Sequence, residues 1–207
     1  ISEKVFNCDS PSGYSINIVN LLKGYLDEYK YDYKVHKKGT IEVFIEGIDH
    51  SKVVATSAHV DTLGLMVRSI KGNGNLALTT LGGPITATLD GEYCVVYTRD
   101  NKKYNGTILS TSPATHVYSD ANSKSRSIDN LEVRLDEVVH NKDDVKKLGI
   151  CNGDYIALDP KTVITPSGYI KSRFLDDKLS VAIIFELLKH LKEENIISED
   201  ISECFSK

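Results

Sequence analysis

Two pairs of polar residues have types and spacings that could do chemistry. His59 and Asp61 stand two apart in "SAHVDTLG", at the end of an apolar run and just before a glycine. Residues two apart in an extended segment point to the same side, so imidazole and carboxylate can be neighbours. That arrangement suits a metal-binding histidine whose second ring N–H is held by a carboxylate, which fixes the tautomer and strengthens the ligand. The position also suits it, because sites in open α/β sheets gather at the carboxyl ends of strands. A surface turn carrying two polar residues explains the same spacing, and the pair alone leaves both readings open.

Asp176 and Asp177 are adjacent in "RFLDDKLS", immediately before a long helical pattern. One carboxylate there is a good cap, since a helix start offers unpaired amides and a partial positive charge. Two neighbouring carboxylates repel each other, and a cation beside them relieves the repulsion. Taken alone, the pair reads first as a cap. Glu193 and Glu194 fall at the solvated end of an amphipathic helix and read as surface. His36, His50, His116, His140 and His190 occupy polar surroundings with no partner at ligand spacing. Cys8, Cys94, Cys151 and Cys204 lie far apart without a CxxC spacing, and read as buried apolar residues of a reduced, cytoplasmic protein. "LGGP" at 81–84 reads as a turn rather than a phosphate loop, because no helix pattern follows it.

The elements that must position these residues follow from periodicity. Ile18, Leu22, Tyr25 and Tyr29 predict a first amphipathic helix with Ser12 or Ser15 as its cap. In "GTIEVFIEG", Ile41, Val43 and Ile45 alternate with Glu42, Phe44 and Glu46, which predicts a strand with one buried face. The run 52–58, "KVVATSA", predicts an interior strand covered on both faces, with His59 and Asp61 at its end. Short β-rich runs separated by turns follow, from "GLMVRSI" through "DYIALDP" and "TVI", with a polar loop "YSDANSKSRSIDN" expected to be mobile. The strongest helix comes last, with a predicted stripe of Leu179, Ile183, Leu187 and Leu191 widened by Val181, Ile184 and Leu188. An α/β domain interrupted by a small β barrel or sandwich explains this order better than two domains in tandem. The boundaries are drawn at 1–66, 67–165 and 166–207. The 207 residues suffice for a substantial core, and a net charge of −4 gives no broad attraction to nucleic acid or anionic lipid. No apolar run approaches the roughly 18 residues of a membrane span. Neither nucleic acid nor membrane is expected as a partner.

In order along the chain, "SPSGYS", "SAHVDTLGLMV", "TLGGP", "LDGEYCVV", "LGICNGDYIALDP" and "GYIKSRFLDDKLSVAIIFELL" resemble the dinuclear-metal aminopeptidases of the glutamyl and deblocking type, whose members assemble into tetrahedral particles. The resemblance implies a zinc-exopeptidase-like α/β catalytic domain with an inserted, PDZ-like dimerisation domain over 67–165, giving a dimer or a dodecamer. It implies that His59 is a terminal ligand of one metal ion and that Asp61 orients its ring. Asp176 would bridge two zinc or cobalt ions, with a cis peptide bond to Asp177. The implied reaction is release of N-terminal residues from peptides, through a water shared by the two ions. Three residues depart from the family pattern: Thr62 where an acidic residue is frequent, Lys178 where arginine is common, and Ser15 where glutamate is frequent. The family completes its site with a Glu-Glu pair, an Asp and a His further on, and no such segment occurs up to Lys207. The resemblance therefore implies the N-terminal portion of a longer enzyme, lacking the general base and inactive alone. A related metallo-carboxypeptidase or deacylase, and a non-catalytic assembly protein, are the rival readings. Glycan hydrolysis would need two carboxyl groups flanking a sugar cleft, a geometry adjacent aspartates do not offer.

Overall fold

The computed structural model describes residues 1–47 and 51–194, so His50 and Cys204 lie outside the described residues. The chain divides into two compact units. One holds Ile1–Ser10, Ser15–Asp61 and the described residues from Pro160 onward; the other holds Pro11–Tyr14 and Thr62–Asp159.

The first unit opens with helices α1 (Ser2–Asn7) and α2 (Ile16–Glu28). Ile18, Val19, Leu22, Tyr25 and Leu26 recur at helical spacing and are all buried, joined by Val5 and Phe6 of α1. Ser15 takes the N-cap position but its side chain makes no capping bond, so α2 depends on this packed face. Strands β1 (Tyr33–Val35) and β2 (Ile41–Val43) form an antiparallel hairpin. The predicted longer strand stops at Val43, and Phe44 and Ile45 are exposed.

The segment 52–58 corrects a second expectation. It forms no strand, and Val53 and Val54 are 78% and 94% exposed. Apolar composition records a demand for burial, but a strand also needs neighbours to take its backbone bonds. Among the described residues none does so here. His59 and Asp61 consequently sit on an irregular segment rather than at the end of a sheet strand.

The second unit is a closed antiparallel barrel. Its strands are β3 (Gly64–Ile70), β4 (Leu76–Leu81), β5 (Tyr93–Tyr97), β6 (Lys103–Ser110), β7 (Leu131–Leu135) and β8 (Tyr155–Leu158), in the order β3-β4-β7-β6-β5-β8. Pairing of β8 with β3 closes the ring and removes the unpaired edges that an open sheet would expose. Leu65, Val67, Leu78, Val96, Ile108, Val133 and Ile156 fill the barrel at alternate positions. Cys94 is buried among them, and burial with the Asp136 charge pushes its thiol up to about 12. The short helix α3 (Lys142–Lys147) is capped by Asn141, whose side chain accepts from the amides of Asp143 and Asp144.

The polar stretch 118–130, expected to be mobile, is tied down. Arg126 pairs with Asp90 at 2.8 Å and donates to the carbonyls of Ala121 and Lys124, while the Lys124 ammonium donates to Ser112 Oγ. Polar composition suggests solvation, but these side chains return to the chain.

The remaining strands, β9 (Val163–Ile164) and β10 (Ile170–Lys171), pair with each other outside the barrel, followed by α4 (Leu175–Glu193). The buried face of α4 is Lys178, Val181, Ala182, Phe185, Leu188 and Leu191, and it packs with α1 and α2 in one apolar core. The predicted stripe was rotated: Leu179 and Ile183 are exposed. The helix is apolar on more than one side, and periodicity alone does not say which side the core takes. No helix among the described residues is long and apolar enough to cross a membrane.

Gly64 starts β3, and a Cβ there would lie 2.6 Å from Pro11 Cβ and 3.1 Å from the Ile156 carbonyl oxygen. Gly64→Ala should therefore destabilise the protein by about 1–3 kcal/mol through overpacking, read as a lowered midpoint in urea denaturation.

Candidate metal centre

Regular helical geometry in α4 begins only after Asp177, because Asp176 and Asp177 have non-helical backbone angles and the peptide bond between them is cis. This turns Asp176 toward the 59–61 segment. Nε2 of His59 lies 3.2 Å from Asp176 Oδ1. Its Nδ1 lies 3.2 Å from the Asp61 carbonyl oxygen and 3.3 Å from Asp61 Oδ1. Asp176 thus directs its carboxylate at the imidazole instead of at the helix amides, against the capping reading. Asp177 is half-buried beside it.

A neutral imidazole carries one N–H and cannot donate at both nitrogens; the imidazolium can. Partial burial lowers the His59 pKa, but the Asp176 hydrogen bond, the Asp61 carbonyl and the two carboxylate charges outweigh it, and the value is raised above 6.5. A cation is favoured at this position, and a proton is one such cation.

A divalent metal ion is the other. A tetrahedral ion with bonds of about 2.0–2.1 Å holds its ligand atoms about 3.3–3.4 Å apart. The 3.2 Å between His59 Nε2 and Asp176 Oδ1 is close to that separation. Asp61 occupies the opposite ring nitrogen, where a ligand histidine needs an acceptor to hold its tautomer. An imidazole and a carboxylate suit zinc and its transition-metal neighbours. These residues fit such an ion but do not enclose one, since no group of three or more His, Cys, Asp or Glu converges among the described residues. The Asp176 side chain is 95% exposed, which leaves its second oxygen accessible.

Other polar candidates stay apart from this cluster. His36 pairs with Glu42 at 2.9 Å on the β1–β2 hairpin, a partner that sequence spacing did not suggest. His116, His140 and His190 are exposed, and Glu193 and Glu194 sit on the exposed end of α4. Two residues lie buried behind the site: Ser10, fully buried, which sequence reasoning missed, and Lys178, 1% exposed, noted in the sequence only as a departure from the family pattern. Burial lowers the Lys178 pKa to about 8 against the favourable charges of Cys8 and Asp9. The presence of a lysine where a helix face turns inward was the available signal.

The chain matches the family model described as M42 glutamyl aminopeptidase over residues 39–206. It belongs to that family. It is 40% identical over 194 residues to a Bacillus subtilis protein named "Putative aminopeptidase YhfE", covering 94% of this chain and 56% of that protein. The fold is similar to an aminopeptidase of the archaeon Desulfurococcus kamchatkensis, with a TM-score of 0.80 at 24% identity, covering 91% of this chain and 50% of the other. A Pyrococcus horikoshii TET1 peptidase, described as assembling into a tetrahedron or a large octahedral shell, matches with a TM-score of 0.75 at 23% identity, covering 93% and 56%. The chain spans about half the length of the curated relatives it matches.

The raised His59 pKa has a defined consequence for pH. The carboxylate contacts add stability that is fully present below about 6.5, the unfolded value, and lost as pH rises through the folded value. An NMR titration of the His59 ring should give a pKa above 6.5, and Asp176→Asn should lower it; an unchanged value in the variant would contradict the observed contact.

Proposed function

We propose that this chain supplies one side of a dinuclear metal site in an aminopeptidase that releases N-terminal residues from peptides. The observation that carries this reading is the approach of His59 Nε2 to Asp176 Oδ1 across 117 positions of sequence, with Asp61 behind the ring. Membership of the M42 family supports the reaction class.

In this reading His59 holds one ion through Nε2, and Asp61 accepts from Nδ1–H so that the Nε2 lone pair faces the site. Asp176, whose carboxylate is exposed, would be the residue shared between the two ions, with Asp177 alongside. Zinc or cobalt ions, when bound, lower the pKa of water and polarise the scissile carbonyl. Ion binding requires His59 to give up its proton, so the carboxylates that raise its pKa also make occupancy fall at low pH. With two donors and no group of three or more His, Cys, Asp or Glu converging among the described residues, the 207 residues alone are inactive and bind metal weakly.

The barrel is assigned to self-association, as a PDZ-like dimerisation module leading to a dimer or dodecamer. Similarity to the TET1 peptidase, described as assembling into a tetrahedron or a large octahedral shell, supports the assignment. The low cysteine content supports a cytoplasmic setting.

An assay of p-nitroanilides of glutamate, aspartate, lysine and leucine, with zinc or cobalt added, tests the reading. The product of the complete reading frame should hydrolyse at least one of them, and His59→Ala or Asp176→Asn should lower kcat/KM at least about 100-fold. The 207-residue chain should release none. Full activity in either variant would overturn the site, and activity of the short chain would overturn its incompleteness.

A further inference from the structure

We propose that residues 8–10 form a polar brace that sets the separation of His59 and Asp176, with Ser10 and Lys178 as positioning residues. The inference rests on the reading of His59 and Asp176 as ligands of one ion. Ser10 is fully buried, and its Oγ donates to the carbonyl oxygen of Val60 at 2.7 Å. Val60 lies between His59 and Asp61. Lys178, also buried, donates from Nζ to the carbonyl oxygen of Cys8. Lys178 is the first regular residue of α4 and follows Asp177 directly. One tripeptide therefore holds both segments that carry the candidate ligands.

Regular secondary structure does not do this work. The 52–61 segment forms no strand, so no ladder sets its register, and the backbone at Asp176 and Asp177 is non-helical. Tertiary contacts must fix the 3.2 Å approach. The two named here are buried, directional bonds, which tolerate less displacement than apolar packing does. The chemistry of Lys178 points the same way. A methionine would fill the same volume without the cost of burying an ammonium group, so filling space does not explain a lysine. Its stem spans the core side of α4, and its head reaches a carbonyl 170 positions away in sequence, with the Asp9 charge nearby.

The test titrates Co2+ into the product of the complete reading frame and follows paramagnetic shifts of the His59 ring by NMR. The variants are Ser10→Ala, Lys178→Met and Lys178→Arg, with Leu22→Ala as a core substitution that lowers stability without touching the brace. Ser10→Ala and Lys178→Met should each weaken Co2+ binding at His59 by about 10–100-fold, the usual effect of removing a group that orients a ligand. Lys178→Arg should restore most of the affinity, and Leu22→Ala should leave it unchanged at a temperature where the protein is folded. If Lys178→Met does not fold, Ser10→Ala carries the result. Unchanged affinity in Ser10→Ala, or an equal loss in Leu22→Ala, overturns the brace while leaving the ligand reading intact. Absence of Co2+-dependent shifts at the His59 ring of the unsubstituted protein overturns the ligand reading and the brace together.

Discussion

His59 meets a carboxylate at each ring nitrogen, and maintaining that arrangement requires two stretches of chain 117 positions apart to be held in fixed register. Two anions facing one imidazole are favourable only if a cation sits among them. Without a metal ion the carboxylate contacts favour a proton on the ring and, against the opposing effect of partial burial, raise the His59 pKa. In the proposed reading a metal ion would take the place of that proton, with His59 and Asp176 as its ligands and Asp61 orienting the ring. The rest of the first unit serves this geometry. The core of α1, α2 and α4 fixes the helix that follows Asp177, and residues 8–10 bond to both site segments, through Ser10 to the Val60 carbonyl and through the Cys8 carbonyl to Lys178.

The sequence was informative where chemistry depends on residue type at short range, and less so where it depends on what covers a surface. The barrel strands were readable because short β-rich runs bounded by turn residues are local signals, and β3, β4, β5 and β6 fall on such runs. Asp176 and Asp177 were legible as a helix start, but their turn toward His59 is a backbone feature with no composition of its own. The face of α4 was misplaced because Leu179 and Ile183 carry the same apolar signal as Val181 and Phe185. The polar loop around Arg126 misled for the opposite reason, since charged side chains that bond back to the chain look identical in sequence to solvated ones.

The 52–58 run shows how these two problems meet at the site. Its valines have the composition of an interior strand, yet they are exposed, as are Phe44 and Ile183 in the same unit. Apolar surface on this scale is a demand for burial that the described residues do not meet. The site segment is instead held by the Ser10 bond to the Val60 carbonyl, by the packing of Ala58 and Val60 against the core and by the His59–Asp176 contact.

Diffraction from crystals equilibrated with zinc, with data collected on both sides of the zinc absorption edge, examines the ligand assignment most directly. The anomalous map should show its strongest peak in contact with both His59 Nε2 and Asp176 Oδ1, with Asp61 still on Nδ1. A strongest peak at the His36–Glu42 pair or elsewhere, with His59 and Asp176 in direct contact and no zinc between them, would contradict the assignment.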